Sequence, residues 1–379
     1  MKILFSLTYY YPYISGLSVH VQKIAEKLRD RGYEIKILTS QHDKSLEKEE
    51  VFEGATVIRV PCLAKFHKGV LMPAWLWVGL REVFWADVII CNLPQVESVY
   101  LFLLAKIFKK RTIAVYHCDV NLPKSFLNFF VEKSLHLLSY FSCQLSDKII
   151  STSEDYARHS PILKRFSKKT FFTFPPVRDL TSLRISLKEK RELSPSFEGI
   201  QYKIGFVGRM AADKGVEYLI KATPYLKKKL NSFKIFLVGP REAVGELEYV
   251  KKINFLINKY KDYVYFLGTL SDNQLAWFYR NIDVLVLPSV NSTEAFGTVQ
   301  VEAMFFGVPV VASDLPGIRV PTKLTKMGES IDSKNPRLIA NTILKVTKSQ
   351  TNYKELAEEA KEIFSLDKVF DNYEKIVKI

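Results

Sequence analysis

Cysteine is scarce in this 379-residue chain: Cys62, Cys91, Cys118 and Cys143 stand far apart, with no Cys-x-x-Cys pair. That excludes a disulfide-stapled scaffold and a cysteine-rich metal module. Cys91 and Cys118 end apolar, strand-like runs, where reduced and buried thiols are expected, and such usage fits a reducing cytoplasm. Long apolar runs are missing too; none approaches the roughly 18 residues of a membrane-spanning helix. The first residues, MKILFSLTYYYPY, carry one lysine and few apolar side chains before the tyrosines, so they read as a first β-strand and not as a signal peptide. Asp-x-Asp occurs nowhere, and no histidines and cysteines are spaced as a ligand set. Neither a bound metal nor another cofactor is therefore expected. No nucleic-acid motif is present, so a nucleic-acid partner is not expected.

What the chain does have is the composition of an ordinary globular protein, 47% apolar and 25% charged, and enough length for two domains. It is strongly basic, with a net charge of +15 and clusters at Lys109-Lys110-Arg111, Lys164-Arg165, Lys168-Lys169 and Lys227-Lys228-Lys229. Such a field favours polyanions or an anionic membrane surface, and a solvated basic exterior is the plainer alternative. Aromatic material lies close to these charges. Residues 66–85 hold three of the four tryptophans, and residues 122–146 read as a long amphipathic helix with Phe126, Phe129, Phe130, Leu137 and Leu138. Both segments suit either an interfacial helix or core packing between elements.

Strand-like runs alternate with helical patterns twice over. In the first half the runs are Lys2–Leu7, Glu34–Ser40, Thr56–Val60, Asp87–Asn92, Thr112–His117 and Lys148–Ser153, with a helix near Val19–Arg31 whose apolar face is Val21, Ile24, Ala25 and Leu28. After Phe174-Pro-Pro176 comes a polar stretch, and the alternation restarts with Lys203–Val207, a helix over 214–230, Lys234–Gly239, a helix near Ala243–Lys261, Tyr263–Gly268, a helix at Asp272–Tyr279 and Val284–Ser289. The class is α/β, with mostly parallel sheets covered on both faces. The divisions expected are a Rossmann-like domain over 1–175, a linker over 176–200, a second Rossmann-like domain over 201–352 and a charged helical segment over 353–379.

The most informative stretch is Glu294-Ala-Phe-Gly-Thr-Val-Gln-Val-Glu302-Ala-Met-Phe-Phe-Gly307. It lies between two apolar runs, turns on Gly297, and forms a short helix that stops at Gly307, a natural left-handed cap. A strand, a glycine-containing loop and a helix N-terminus make an anion site, with backbone N–H groups and the helix dipole facing a phosphate. Glu294 lies in the loop; Glu302 lies one turn inside the helix, on the same face as Thr298. Carboxylates that accept from hydroxyls, beside amides that hold a phosphate, describe a sugar-nucleotide site.

The spacing of Glu294 and Glu302 within EAFGTVQVEAMFFGVPVVASDLPG resembles the retaining glycosyltransferases of family 4, which have the GT-B fold. That resemblance implies two Rossmann-like domains facing a central cleft, a first domain for the acceptor, a second for the nucleotide sugar, and a last helix crossing back to the first. Further segments carry it. Gly208-Arg209 with Asp213-Lys214-Gly215 looks like the family's element whose Arg and Lys neutralise the leaving diphosphate. Tyr265-Phe-Leu-Gly268-Thr-Leu270 is similar to the strand and loop that hold the base, with Leu270 against the ring. Ser15-Gly16 stands where the family has a Gly-Gly phosphate loop, Ser15 replacing the first glycine. Tyr116-His117-Cys118-Asp119 is similar to a His-x-Asp element whose histidine reaches the donor sugar, with Asp119 orienting it or meeting the acceptor. His20 is a further acceptor-side candidate. Arg319 stands where many relatives carry a Glu, implying altered acceptor handling or local packing.

By this resemblance the catalytic residues are His117, Glu294, Arg209 and Lys214. Donor binding falls to Gly16, Gly208, Leu270, the Phe296, Gly297 and Thr298 amides, and Glu302 on the ribose hydroxyls. The implied reaction moves a hexose from a UDP- or GDP-sugar to a glycan, glycolipid or lipid-linked acceptor with retention of configuration, without metal, at the cytoplasmic membrane face. Two other readings are a sugar-nucleotide epimerase of similar fold, against which the intact Glu294 and Glu302 argue, and a basic nucleic-acid-binding protein.

Overall fold

In a computed structural model that describes residues 1–66, 69–122, 125–241 and 246–378, the chain divides into two units, Met1–Pro176 with Leu366–Ile379, and Val177–Ser365. The first unit is built on β1 (Lys2–Ser6), β2 (Glu34–Gln41), β3 (Glu49–Phe52), β4 (Ala55–Pro61), a separate hairpin of β5 (Ala64–Phe66) and β6 (Gly69–Leu71), then β7 (Val88–Leu93), β8 (Arg111–Tyr116), β9 (Lys148–Ser151) and β10 (Thr170–Phe172). Its main sheet has the order β10-β9-β8-β7-β1-β2-β4-β3, parallel throughout except where β3 meets β4. Every residue of β7 is buried, as expected of a strand with helices on both faces. The helices are α1 (Gly16–Asp30), α2 (Trp75–Trp85), α3 (Ser98–Ile107), α4 (Phe126–Leu145) and α5 (Glu154–His159).

The second unit carries β11 (Tyr202–Val207), β12 (Phe233–Val238), β13 (Val264–Gly268), β14 (Val284–Leu287), β15 (Val310–Ser313) and β16 (Gly328–Ile331), all parallel in the order β13-β12-β11-β14-β15-β16. Around it lie α6 (Leu187–Leu193), α7 (Val216–Lys221), α8 (Thr223–Lys227), α9 (Leu247–Lys259), α10 (Asp272–Asn281), α11 (Thr298–Phe305), α12 (Arg319–Thr325), α13 (Pro336–Thr347) and α14 (Tyr353–Ile363). The helix expected over 214–230 is two helices. Pro224 has no N–H for the Ile220 carbonyl, and the Thr223 hydroxyl donates to that carbonyl instead, at 2.7 Å. The start of the helix expected from Ala243 lies outside the described residues, as do His67-Lys68 and Pro123-Lys124 of the two aromatic segments.

Two expected boundaries need correction. Residues 177–200 are not a free linker; they belong to the second unit, where Phe197 stacks on Phe236 with ring centroids 4.0 Å apart. The segment 353–379 is not one element either. Its first helix, α14, packs on α11 in the second unit, and the chain breaks after Phe364, which is buried against Phe296. Only the final helix α15 (Leu366–Lys378) joins the first unit, where Val369, Phe370, Tyr373, Ile376 and Val377 share a core with α1 and β1. Cys91 is buried as expected, whereas Cys118, past the end of β8, is only partly covered.

In each sheet the chain works outward in both directions from a central pair of strands, β1 and β7 in one, β11 and β14 in the other. The loops leaving such a pair diverge at their carboxyl ends, which makes a switch point the natural place for a ligand.

Candidate active site

At the switch point of the second unit, the loops after β11 and β14 meet although their sequences are far apart. The Val290 amide donates to the Asp213 carbonyl at 2.9 Å, and Gly215 lies so close to Pro288 that a Cβ would fall 2.2 Å from its carbonyl oxygen. Gly215 also holds a φ of +62°, which glycine adopts without strain. This contact brings Lys214 onto Glu294: the ammonium donates to Oε2 in a partly buried ion pair. Gly297 then turns the chain at φ +74° into α11, with Leu287 where a side chain would otherwise go. Thr298 opens the helix, and its first-turn amides point back along the loop that carries Glu294. Arg209 lies at the rim, its guanidinium 3.6 Å from Asp213 and well exposed. Gly208 follows β11 at the same strand end, and Leu270 is half-buried in the loop after β13. Phe296 is buried and packs edge-on against Phe364.

Glu302 is more enclosed than a surface acid would be, with only 3% of its side chain exposed. Arg178 donates from Nε to its Oε1 at 2.8 Å, and the Tyr279 hydroxyl donates to its Oε2 at 3.0 Å. Arg178 also reaches Asp272 at 2.7 Å. Burial opposes the guanidinium's charge, yet Glu302 and Asp272 outweigh it and raise its pKa; burial, then the Glu302 charge, raises the Tyr279 phenol. Arg178 and Tyr279 were not legible as site residues, since nothing in a lone Arg beyond two prolines marks a partner 124 residues away.

At the switch point of the first unit sits a second polar cluster. Asn92, next to last in β7, has its amide nitrogen on the Ser6 carbonyl at 3.1 Å, and its oxygen lies 2.9 Å from Nε2 of His117. Gln95 donates to the Ser6 hydroxyl at 2.9 Å. His20, on α1, is buried against the His117 ring with no hydrogen-bond partner on either nitrogen. Burial pushes His117 down to about 4; burial, then the His117 charge, lowers His20 well below its ordinary value. Both rings are therefore neutral near pH 7.

Of the two parts expected of Asp119, orienting His117 or meeting the acceptor, the first is not what it does here. Its carboxylate turns inward and accepts from the hydroxyls of Tyr116 at 2.6 Å, Ser160 at 2.8 Å and Tyr156 at 3.1 Å. Asn92 takes the orienting part. Ser15 is not a failed glycine but the N-cap of α1: its hydroxyl accepts from the Ser18 amide, and the Ser18 hydroxyl answers at the Ser15 amide. Gly16, the first residue of α1, has open space where a Cβ would be. Arg319 pairs with Asp314 at 3.4 Å, which is local packing at the start of α12. A cavity of about 250 Å³ at the ends of β14 to β16, lined by Ser289, Ser313, Asp314 and Lys334, includes none of the expected site residues.

Against this geometry, two family models match: "Glycosyl transferases group 1" over residues 189–363 and "Glycosyltransferase Family 4" over residues 14–161. The chain is a family 4-type glycosyltransferase. The first match begins inside α6, in keeping with the place of that helix in the second unit. An uncharacterized glycosyltransferase of Methanocaldococcus jannaschii is 27% identical over 88% of this chain and 86% of its own length. The phosphatidyl-myo-inositol mannosyltransferase of Mycobacterium leprae is 23% identical over 91% and 87%. Among solved structures, Anabaena HepE in complex with UDP-glucose superposes over all of both chains with a TM-score of 0.76 at 20% identity. The fold of this glycosyltransferase is GT-B. The epimerase reading finds no support in either family model.

Proposed function

We propose that the protein transfers a hexose from a UDP- or GDP-sugar to a glycan, glycolipid or lipid-linked acceptor in the cytoplasm, with retention of the donor's anomeric configuration and without a metal. The observation that carries this reading is the Lys214–Glu294 pair beside the Gly297 turn. A cation and a carboxylate, held together at the mouth of a helix, suit a ligand that brings both phosphate and hydroxyls. As the donor enters, Lys214 exchanges its carboxylate for the diphosphate, Arg209 adds a second cation, and the freed Glu294 accepts from the sugar's hydroxyls. The amides of Phe296, Gly297 and Thr298 complete the phosphate cradle. Glu302 serves the ribose; a carboxylate accepts about four hydrogen bonds, and Arg178 and Tyr279 use two. Gly208 and Gly16 give a phosphate close access to backbone, and Leu270 covers the base. Within the first unit, His117, neutral and fixed by Asn92, is the proposed catalytic histidine.

The donor class draws support from HepE, whose structure holds UDP-glucose, and the lipid acceptor from the mannosyltransferase of Mycobacterium leprae. Among the described residues no three His, Cys, Asp or Glu side chains gather as a metal set. The test is a panel of nucleotide sugars, each assayed for hydrolysis and for transfer into a lipid extract, with and without chelator. One donor should be consumed, with chelator of no effect and the anomeric configuration kept in the product's NMR spectrum. Glu294→Ala and Arg209→Ala should abolish turnover in folded protein; full activity in both would refute the assignment.

A further inference from the structure

Helix α4 has the reverse of the usual polarity of a surface helix. Its inward positions include Ser139, Ser142 and Cys143, all buried, with the Ser142 hydroxyl 2.7 Å from that of Ser98 on α3. Its outward stripe, at helical spacing, is Phe126, Phe130, Leu137 and Phe141, with Phe129 alongside. Phe126 is 84% exposed, Phe129 57%, Phe130 52% and Leu137 56%. The rings touch one another, with centroids 5.0 Å apart for Phe126–Phe130 and 5.6 Å for Phe129–Phe130. A clustered aromatic stripe of this kind on a surface helix marks a contact surface, unlike single exposed apolar residues.

Cations edge the stripe. The Lys133 ammonium lies 5.6 Å from the Phe129 ring, and the Arg165 guanidinium lies 5.7 Å from the Tyr140 ring. Lys169 ties the loop of Lys164, Arg165 and Lys168 to the end of α4 through the Gln144 carbonyl, at 3.0 Å. The acids nearby are already engaged: Glu132 accepts from the Leu122 amide, and Asp147 pairs with Lys106 and Thr112. Helix α3 packs against α4, and α2 against α3; these two helices expose Trp77 and Ile107, 76% and 71%.

We propose that this face docks on an anionic lipid bilayer. Helix α4 lies along the headgroups, its phenylalanines among the upper acyl chains and its flanking lysines and arginines on lipid phosphates. Charge complementarity selects this occupant. A second copy would bring the same basic residues together in a chain that carries a net +15, and among the described residues the acids beside the stripe, Glu132 and Asp147, already have partners. Its 20 residues lie along the surface and do not cross it: no described helix is long and apolar enough to span a membrane.

The test uses the full chain with sedimented vesicles, either pure phosphatidylcholine or phosphatidylcholine mixed equally with phosphatidylglycerol. The wild type should partition onto the mixed vesicles, weakly onto the neutral ones, and come off at high salt. The double variant Phe126→Ser/Phe130→Ser should lose at least about tenfold in partitioning while its melting temperature holds, since both rings are exposed. Lys133→Glu/Lys168→Glu should weaken binding to the mixed vesicles alone. Equal binding of wild type and the serine variant, or no preference for the charged vesicles, overturns the proposal. So does a wild-type dimer in sedimentation that the serine variant converts to monomer. Nucleotide-sugar hydrolysis in the absence of vesicles reports on the donor site separately, so each reading fails on its own evidence.

Discussion

The ring of His20 stands edge-on to that of His117, centroids 4.9 Å apart and planes at 89°, and His20 has no hydrogen bond to spend its own nitrogens on. Neither ring can take up a proton cheaply where it sits, His117 being pushed down to about 4 by burial. In the unfolded chain a histidine titrates near 6.5 (approximately). Between those values, as pH falls, the unfolded chain binds protons that the folded unit refuses, so stability is full above the upper value and declines as pH drops towards the lower. Urea unfolding at pH 7 and pH 5 should show this loss, and His20→Phe with His117→Asn should flatten it. Equal slopes in wild type and variant would show that the pair does not bear the titration.

Lys214 and Glu294 share one fate in the proposed reaction. Lys214→Met and Glu294→Gln should each lower kcat/KM by about a hundredfold or more, and the double variant should lose little beyond either single one. Each single variant should also lower the melting temperature, because the pair is largely covered and the remaining partner loses its counter-ion. Additive losses would mean that the two residues act independently.

Arg178 is tested through the acid it covers. Arg178→Met leaves Glu302 enclosed with Tyr279 alone and should cost about 2 kcal/mol in denaturant unfolding. Adding Glu302→Gln should recover part of that stability and none of the transfer activity. A stability unchanged by Arg178→Met would show that water already satisfies the carboxylate.

Two glycines separate fold from function. Gly215→Ala forces a side chain onto the Pro288 carbonyl at a left-handed φ and should destabilise the second unit by more than about 2 kcal/mol. Gly16→Ala meets nothing within 4 Å and should leave the melting temperature unchanged or slightly higher. Any loss of turnover in Gly16→Ala then reports donor access; unimpaired turnover would remove Gly16 from the donor site.

Much of this was written in the sequence, and for identifiable reasons. Parallel strands such as β7 and β14 are buried on both faces, so they appear as unbroken apolar runs. Glu294, Gly297 and Glu302 lie close together in one motif, and Lys214 sits in another. What stayed hidden depends on pairing at a distance. Asn92 and Gln95 look like any polar residues at the end of a strand, and only the folded sheet sets them beside Ser6 and His117. Ser15 looked like a lost glycine because its cap partner, Ser18, carries a hydroxyl where the familiar cap pattern has an acid or amide. Asp119 sits beside His117 in sequence yet turns to Tyr116, Ser160 and Tyr156.

The return of α15 to the first unit sets an order of events during synthesis. Val369, Phe370, Tyr373, Ile376 and Val377 complete an interior that otherwise consists of residues made near the start, such as Ile3, Phe5 and Ile24. While the ribosome is still translating the second unit, the earlier one waits with that apolar surface uncovered. The portion born first is thus finished last, and a nonsense codon just before Leu366 would leave it open for good.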